Sequence, residues 1–368
     1  MLAGFVSVAA WALLRTLAPG AAIAWTPDMV RAAEAMNRAL ASVAEECRDR
    51  GIAIDPLLDP NGTCLIGPEQ SQLFTSLGQL EAKRTATNPD MAGLMVHLLS
   101  QAGVGEGDRV AVGASGSFPG LLLATLVAVE AMGAQPTTIL SLGASSFGAT
   151  RPDFHLGDIH GLLEERGFVT DPPVAVSLGG GGDIGRDFDP GFREELLRDL
   201  RAEMDSGPVL LYAPDLRENV GRRMDLYTNP AAFVNIGGAE ANLGTSPEIL
   251  RVPPGLAVGP GSRESESSGE AAALPELPRN DRRGVLFEMA SRGVPVIHLL
   301  YLRGLALRYG LPWDPLPLPE PGSTPMADSQ GGKGAGFWLL TVGYLLAMVA
   351  VFKSGRRSPS SQTVRQPR

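Results

Sequence analysis

Two short glycine-rich turns place serine hydroxyls directly after predicted strands. The first turn, GASGSFPG, occupies residues 113–120 and contains Ser115 and Ser117. It differs at one position from the nucleophile elbow G-x-S-x-G, because Ser117 stands where that motif has its second glycine. Ser115 or Ser117 could act as a nucleophile, or could bind an anion together with Gly113 and Gly116 at the start of the following helix. A tight turn with a serine cap is the third interpretation.

A second turn repeats this pattern, and two further glycine-rich turns could offer backbone N–H groups to a ligand. GASSFGAT at residues 143–150 offers Ser145 and Ser146 to the same pocket. Gly237 and Gly238 begin another such turn, and we expect their backbone to contact a ligand.

The run of four glycines at residues 179–182 indicates a backbone that approaches a ligand or another chain segment closely. Within it, Gly180 and Gly181 are the predicted contacts. Asp183, which follows, could be a general base or could bind an ammonium group. Capping of the next turn is the structural alternative.

Two basic residues in the segment EAKRTATN, Lys83 and Arg84, could recognise a carboxylate. A solvated charged loop is the alternative. His155 and His160 are the only histidines predicted near the glycine-rich turns, and they give weak evidence for a catalytic triad.

Metal and cofactor signals are missing from the sequence. The only two cysteines, Cys47 and Cys64, lack zinc-site spacing and could form a disulfide or remain free thiols. No Gly-Lys-Ser/Thr follows the first turn, which excludes a Walker A loop. The sequence therefore predicts no metal and no cofactor.

The net charge of −9 is unevenly distributed, because the last sixteen residues contribute +5. The rest of the chain is accordingly more acidic than the total. An acidic body argues against nucleic acid as a partner.

Short apolar runs alternating with helical periodicity predict an α/β fold with a mostly parallel sheet and helices on both faces. In such a sheet the loops at the carboxyl ends of the strands share one edge, where ligands bind. The predicted strands are residues 110–112, 137–142, 174–178, 209–212 and 232–236, and the predicted helices are residues 28–50, 89–102, 121–132 and 190–204.

Both ends of the chain are hydrophobic. Residues 334–352 contain no charge and are nearly long enough to cross a bilayer. The basic residues that follow predict a cytoplasmic tail and an extracytoplasmic domain. Arg15 interrupts the N-terminal apolar segment, for which we favour an uncleaved anchor over a signal peptide. The predicted organisation is an anchor at 1–25, an α/β domain at 26–311 with a disordered insertion at 255–282, a Pro/Gly linker at 312–333, a transmembrane helix at 334–352 and a basic tail at 353–368.

Between Ile52 and Pro319 the chain resembles the poly-gamma-glutamate system protein family. The motifs that carry this resemblance, in order, are DPNGTCLIGPE, LGQLEAKRTATNP, VAVGASGSFPGL, LGASSFGA, SLGGGGDIGR, NIGGAEANLG and GVPVIHLLYLRGLALRYGLPWDPLPLP. Cys64 and the stretch 255–282 depart from the family's pattern.

This resemblance implies an accessory protein of poly-γ-glutamate synthesis or export, which the hydrophobic ends predict to be membrane-anchored. We expect its α/β domain to bind a γ-glutamyl ligand or a partner protein. Its expected partners are the membrane components of the synthase and the γ-glutamyl polymer. Two alternatives stay open. One is a serine hydrolase or transferase that acts on γ-glutamyl chains, and the other is a non-catalytic scaffold of the synthase complex.

Overall fold

A computed structural model describes residues 21–203, 207–259, 271–329 and 341–349. The chain divides into two compact units, Met1–Ile23 with Ala327–Arg368, and Ala24–Met326. In the described part of the first unit, two short strands pair antiparallel, Ala21–Ala22 with Ala327–Asp328. The candidate site belongs to the second unit.

The described residues form fourteen strands, and those of the second unit form ten α-helices. The strands are β1 Ala21–Ala22, β2 Phe74–Ser76, β3 Arg109–Ser115, β4 Gln135–Ser141, β5 Ala144–Ser145, β6 Thr150–Arg151, β7 Phe154–His155, β8 Ala175–Ser177, β9 Val209–Leu211, β10 Ala232–Ile236, β11 Gly255–Val258, β12 Ala272–Ala273, β13 Val296–Leu299 and β14 Ala327–Asp328. The helices are α1 Pro27–Asp49, α2 Leu80–Ala86, α3 Asp90–Gln101, α4 Pro119–Ala131, α5 Leu156–Glu165, α6 Pro190–Glu203, α7 Leu216–Leu226, α8 Glu240–Leu243, α9 Val285–Ser291 and α10 Leu302–Tyr309.

The core of the second unit is an eight-stranded sheet in the order β12-β11-β13-β10-β3-β4-β8-β9. The six strands from β13 to β9 run parallel, and β11 pairs antiparallel with β13. The central strands are buried along nearly their whole length, so their apolar residues follow one another without the alternation of a half-exposed sheet. The predicted mostly parallel α/β domain is confirmed.

The winding of the sheet reverses beside its central strand. From β3 the chain proceeds to β4, β8 and β9 on one side, and then crosses to β10 and β13 on the other. The loops that follow β3 and β10 therefore leave the sheet in opposite directions. A crevice opens at such a switch point, outside the carboxyl ends of the strands.

Helix α1 illustrates how the sequence pattern produces an element of this fold. Thr26 caps its N-terminus in a capping box, and Pro27 occupies the first turn, where a missing N–H costs nothing. Its apolar positions at helical spacing are buried, as the periodicity predicts. Near its C-terminus, Cys47 forms a disulfide with Cys64, which resolves the alternative that the sequence leaves open.

The predicted transmembrane helices are corrected by the structure. Within the described ranges no helix is both long enough and apolar enough to cross a membrane. The fold class with flanking spans, the membrane localisation and the assignment of sides to the domain and tail are wrong on this finding. The rest of the predicted segments, at 1–20, 334–340 and 350–368, lies outside the described residues.

Two stretches without predicted secondary structure contain ordered elements. In the insertion predicted at 255–282, β11 is a buried strand because its apolar residues pair with β13, and β12 pairs with β11 in turn. In the linker predicted at 312–333, Asp314 forms an ion pair with Arg84 of α2. Met326, from the same linker, is buried. The low-complexity composition and the proline content of these stretches give no sign of these contacts, which are made with distant parts of the chain.

Candidate functional site

Two adjoining cavities lie at the carboxyl ends of β3, β4, β8 and β10, around the switch point. Their volumes are about 210 and 220 Å³, and they share Ser76, Ser117 and Gly238 as a common wall. The first cavity is lined by all four glycine-rich turns. Its remaining lining residues are Thr75, Ser115, Ser141, Gly143, Gly179, Gly180, Gly181, Asp187, Ala239 and Glu240.

The second cavity contains a lysine and a serine in direct contact, Lys83 of α2 and Ser145 of β5. Lys83 Nζ donates hydrogen bonds to Ser145 Oγ at 2.7 Å and to the backbone oxygen of Ser117. The same Nζ lies 3.8 Å from the centre of the Phe118 ring. These contacts hold the amine against the serine hydroxyl, inside a cavity.

The charge of Lys83 is the most perturbed feature of the site. Its side chain is buried, and within the described residues no carboxylate forms an ion pair with it. Burial without a counter-charge disfavours the ammonium form, which lowers the pKa of Lys83 from 10.5 to about 7. A substantial fraction of Lys83 is therefore a neutral amine, able to accept a proton, near neutral pH.

The protein is tightly packed around Ser145 and Lys83, so a larger residue than glycine at position 78 would displace them. Gly78 follows β2, and a Cβ at Gly78 would lie 2.7 Å from the backbone oxygen of Ser146, 3.1 Å from Ser145 Oγ and 3.2 Å from Lys83 Cε. The N–H of Ser145 donates to Ser117 Oγ at 3.0 Å. Ser145 is 8% exposed and lines the second cavity.

The two serines of the first turn are held differently. Ser117 lines both cavities, but it contacts Lys83 through its backbone oxygen, and its hydroxyl accepts the N–H of Ser145. Ser115 Oγ donates to the backbone oxygen of Ile236 at 3.4 Å. Gly237 has a φ of +77°, and a Cβ there would overlap Ser115 Oγ, which accounts for glycine at this position. No general base contacts the hydroxyl of Ser115 or Ser117 in the described part of the chain.

Asp183 is enclosed in the protein and paired with an arginine. Its carboxylate and the guanidinium of Arg223 on α7 are both fully buried, with Arg223 Nη2 2.7 Å from Asp183 Oδ2. Ser141 and Ser177 donate hydrogen bonds to the carboxylate at 3.3 and 2.8 Å. This network lies behind Ser141 in the wall of the first cavity, so Asp183 supports the site and is not exposed to a ligand.

The glycine run already has acidic partners of its own. Gly181 N–H donates to Asp187 Oδ2 at 2.6 Å, and Gly182 N–H donates to the Glu240 carboxylate. Asp187 and Glu240 line the first cavity and give it two negative charges. The N–H groups of Gly181 and Gly182 are therefore satisfied within the chain.

Other predicted site residues lie away from the cavities. Arg84 forms a bidentate pair with Asp314, at 2.6 Å for both contacts. Ser146 is buried, and its hydroxyl has no hydrogen-bond partner among the described residues. The backbones of Gly113 and Gly116 are covered by other groups, since a Cβ would lie 2.6 Å from the Asn242 side chain and 2.5 Å from the Leu142 oxygen, respectively.

The histidines and possible metal ligands do not form a site. His155 caps α5 by accepting the N–H groups of Gly157 and Asp158. Burial lowers the pKa of His160 to about 4, and neither histidine lines either of the two cavities described above. In the described ranges no group of three or more His, Cys, Asp or Glu side chains could hold a metal ion.

Four charged residues at or behind the cavities have no distinguishing signal in the sequence. Arg223 is buried, whereas its neighbour Arg222 is exposed, and only the turn of α7 separates their environments. Asp187, Glu240 and Arg303 line the cavities, but no pattern in the sequence singles them out.

The fold and site define a doubly wound α/β protein with a polar, serine-rich site at its switch point. No family model, curated protein or solved structure matches this chain.

Proposed function

We propose that this chain is an acyl-transfer enzyme in which Ser145 is the nucleophile and Lys83 is its general base. The observation that carries the proposal is the 2.7 Å contact between Lys83 Nζ and Ser145 Oγ inside a cavity. A serine hydroxyl is a weak nucleophile until an adjacent base takes its proton. Lys83 meets this need because burial lowers its pKa to about 7.

In the proposed reaction, the neutral amine of Lys83 accepts the proton of Ser145 as Oγ attacks a carbonyl carbon. The protonated Lys83 then gives that proton to the leaving amine as the bond between carbon and nitrogen breaks. The product is an acyl ester on Ser145. Water, or a second amine, then attacks the ester and loses a proton to Lys83. Lys83 returns this proton to Ser145 Oγ as the bond between the acyl carbon and Oγ breaks, which releases the acyl group and restores the free enzyme.

A γ-glutamyl amide is the substrate class that we propose, within poly-γ-glutamate synthesis or export and beside the synthase components. Its support is the resemblance of seven ordered motifs to the poly-gamma-glutamate system protein family. The lining of the two cavities is compatible with this substrate class, since serine hydroxyls and charged side chains can bind the polar groups of a γ-glutamyl amide.

One observation favours a second candidate, a binding module without catalysis. Lys83 Nζ also faces the Phe118 ring at 3.8 Å and donates to the Ser117 backbone oxygen, and both contacts suit a held ammonium. In this alternative Lys83 attracts a carboxylate, and Ser145 only donates a hydrogen bond. Replacing Ser145 would then weaken binding slightly and remove no activity.

The acyl-transfer enzyme should turn over a γ-glutamyl substrate, whereas the binding module should not. The full chain is incubated with γ-glutamyl p-nitroanilide and with γ-linked glutamate oligomers of both stereoisomers. The enzyme releases p-nitroaniline or shorter oligomers, and Ser145→Ala lowers the rate at least about a thousandfold. Ser100→Ala, at an exposed serine outside both cavities, is the matched control and retains the rate. Folded wild-type protein without turnover, or full turnover by Ser145→Ala, overturns the enzymatic proposal.

A further inference from the structure

Arg303 is a cation at the second cavity without an anionic partner in the described structure. It lies in the first turn of α10, is exposed, and lines the cavity together with Lys83. Its guanidinium carbon lies 5.9 Å from the centre of the Trp313 ring, and no ion pair involves it among the described residues. Arg84, by contrast, already has a carboxylate partner in the protein, namely Asp314.

The two cavities differ in charge. Asp187 and Glu240 carry negative charge in the first cavity, whose lining contains no lysine or arginine. The second cavity is lined by Lys83 and Arg303 and by no acidic residue. A ligand carboxylate is therefore repelled from the first cavity and attracted to the second.

We propose that Arg303 binds a carboxylate of the substrate in the second cavity and thereby selects amides that carry a free α-carboxylate next to the reacting bond. This inference rests on the proposed function, whose nucleophile lies in the same cavity. Arginine suits the role because its planar guanidinium can donate two parallel hydrogen bonds to a carboxylate. Trp313 lies beside the guanidinium and can restrict its orientation.

The test measures binding, so that it does not depend on catalysis. The full chain with Ser145→Ala is titrated by calorimetry with γ-glutamyl-glutamate and with the same dipeptide whose α-carboxylates are converted to amides. Arg303→Met, in the same background, weakens binding of the free acid about fivefold to tenfold and leaves binding of the amide unchanged. Arg198→Met, at an exposed arginine outside both cavities, is the matched control and changes neither affinity.

Three results overturn the inference: no binding of the free acid, an equal loss for acid and amide, or no loss for either. An equal loss would mean that Arg303 only supports the cavity through Trp313. Turnover of γ-glutamyl-glutamate is measured separately on the chain with Ser145 intact. Missing turnover alongside selective binding of the acid rejects the catalytic proposal and retains Arg303 as the carboxylate contact.

Discussion

The guanidinium of Arg223 and the carboxylate of Asp183 form an ion pair of 2.7 Å in which neither side chain is exposed to solvent. Ser177 donates a hydrogen bond to the carboxylate and accepts one from the guanidinium. Asp183 follows the glycine run and Arg223 lies on α7, so the pair joins α7 to a segment that lines the first cavity. The glycine-rich edge is thus supported by a buried charged network.

Breaking this pair leaves a buried charge without a partner. We expect Asp183→Asn and Arg223→Met each to lower the free energy of unfolding by about 3–5 kcal/mol, measured by urea denaturation. The double variant is less destabilised than the sum of the two, because no isolated charge remains. Arg222→Met, on the same helix but exposed, is the control and changes stability by less than about 1 kcal/mol. Equal small effects at Arg222 and Arg223 would contradict this role.

Lys83 makes stability depend on pH in a specific direction. Its folded pKa of about 7 lies below the ordinary 10.5, so between these values the unfolded chain binds more protons than the folded chain. Stability therefore rises with pH from about 7 to 10.5, and the cost of burying the charge is fully present below pH 7.

Lys83→Met removes this dependence. Urea denaturation of both proteins at pH 6.5 and pH 9.5 isolates the lysine, because other titrating groups are common to the two. We expect wild type to gain about 3 kcal/mol relative to the variant between these two pH values. A constant difference across this range would mean that Lys83 keeps an ordinary pKa in the folded protein.

Arg84 is predicted to stabilise the fold without contacting the ligand. Arg84→Met breaks the bidentate pair with Asp314, and we expect a loss of about 1–3 kcal/mol in the free energy of unfolding. Affinity for γ-glutamyl-glutamate stays within about twofold of wild type under conditions where both proteins are fully folded. A loss of affinity with unchanged stability would contradict this role and would mean that Arg84 contacts the ligand.

The disulfide between Cys47 and Cys64 links the C-terminal end of α1 to the loop that precedes β2, across a separation of 17 residues. Closing a loop of this length in the unfolded chain corresponds to about 3 kcal/mol of stability. Thermal unfolding of the Cys47→Ala/Cys64→Ala variant should show this loss without a reducing agent. Adding dithiothreitol should destabilise wild type and leave the variant unchanged. Equal responses of the two proteins would contradict the disulfide's contribution.

The sequence predicts much of the scaffold, because the relevant signals are local. The apolar runs of β3, β4 and β10 and the glycines that follow them indicate a parallel sheet with one loop-rich edge. Strand β11 escapes prediction because it is four residues long and adjoins a stretch of low-complexity composition.

The central contact of the site is not local. Lys83 and Ser145 are 62 residues apart, and no periodicity or spacing relates them. The sequence identifies both as polar residues in suggestive segments. Only packing of α2 against the turn after β4 decides that Lys83, and not Arg84, reaches the serine. The burial that lowers the pKa of Lys83 is likewise a property of the folded chain.

The central claim is that Ser145 is activated by Lys83, and covalent labelling tests it most directly. Folded full-length protein is treated with a fluorophosphonate probe, and the labelled residue is mapped by peptide mass spectrometry. We predict label on Ser145, with a rate that rises through pH 7 and falls at least about a hundredfold in Lys83→Met. Label on Ser115 or Ser117, or no label on folded wild-type protein, would contradict the claim.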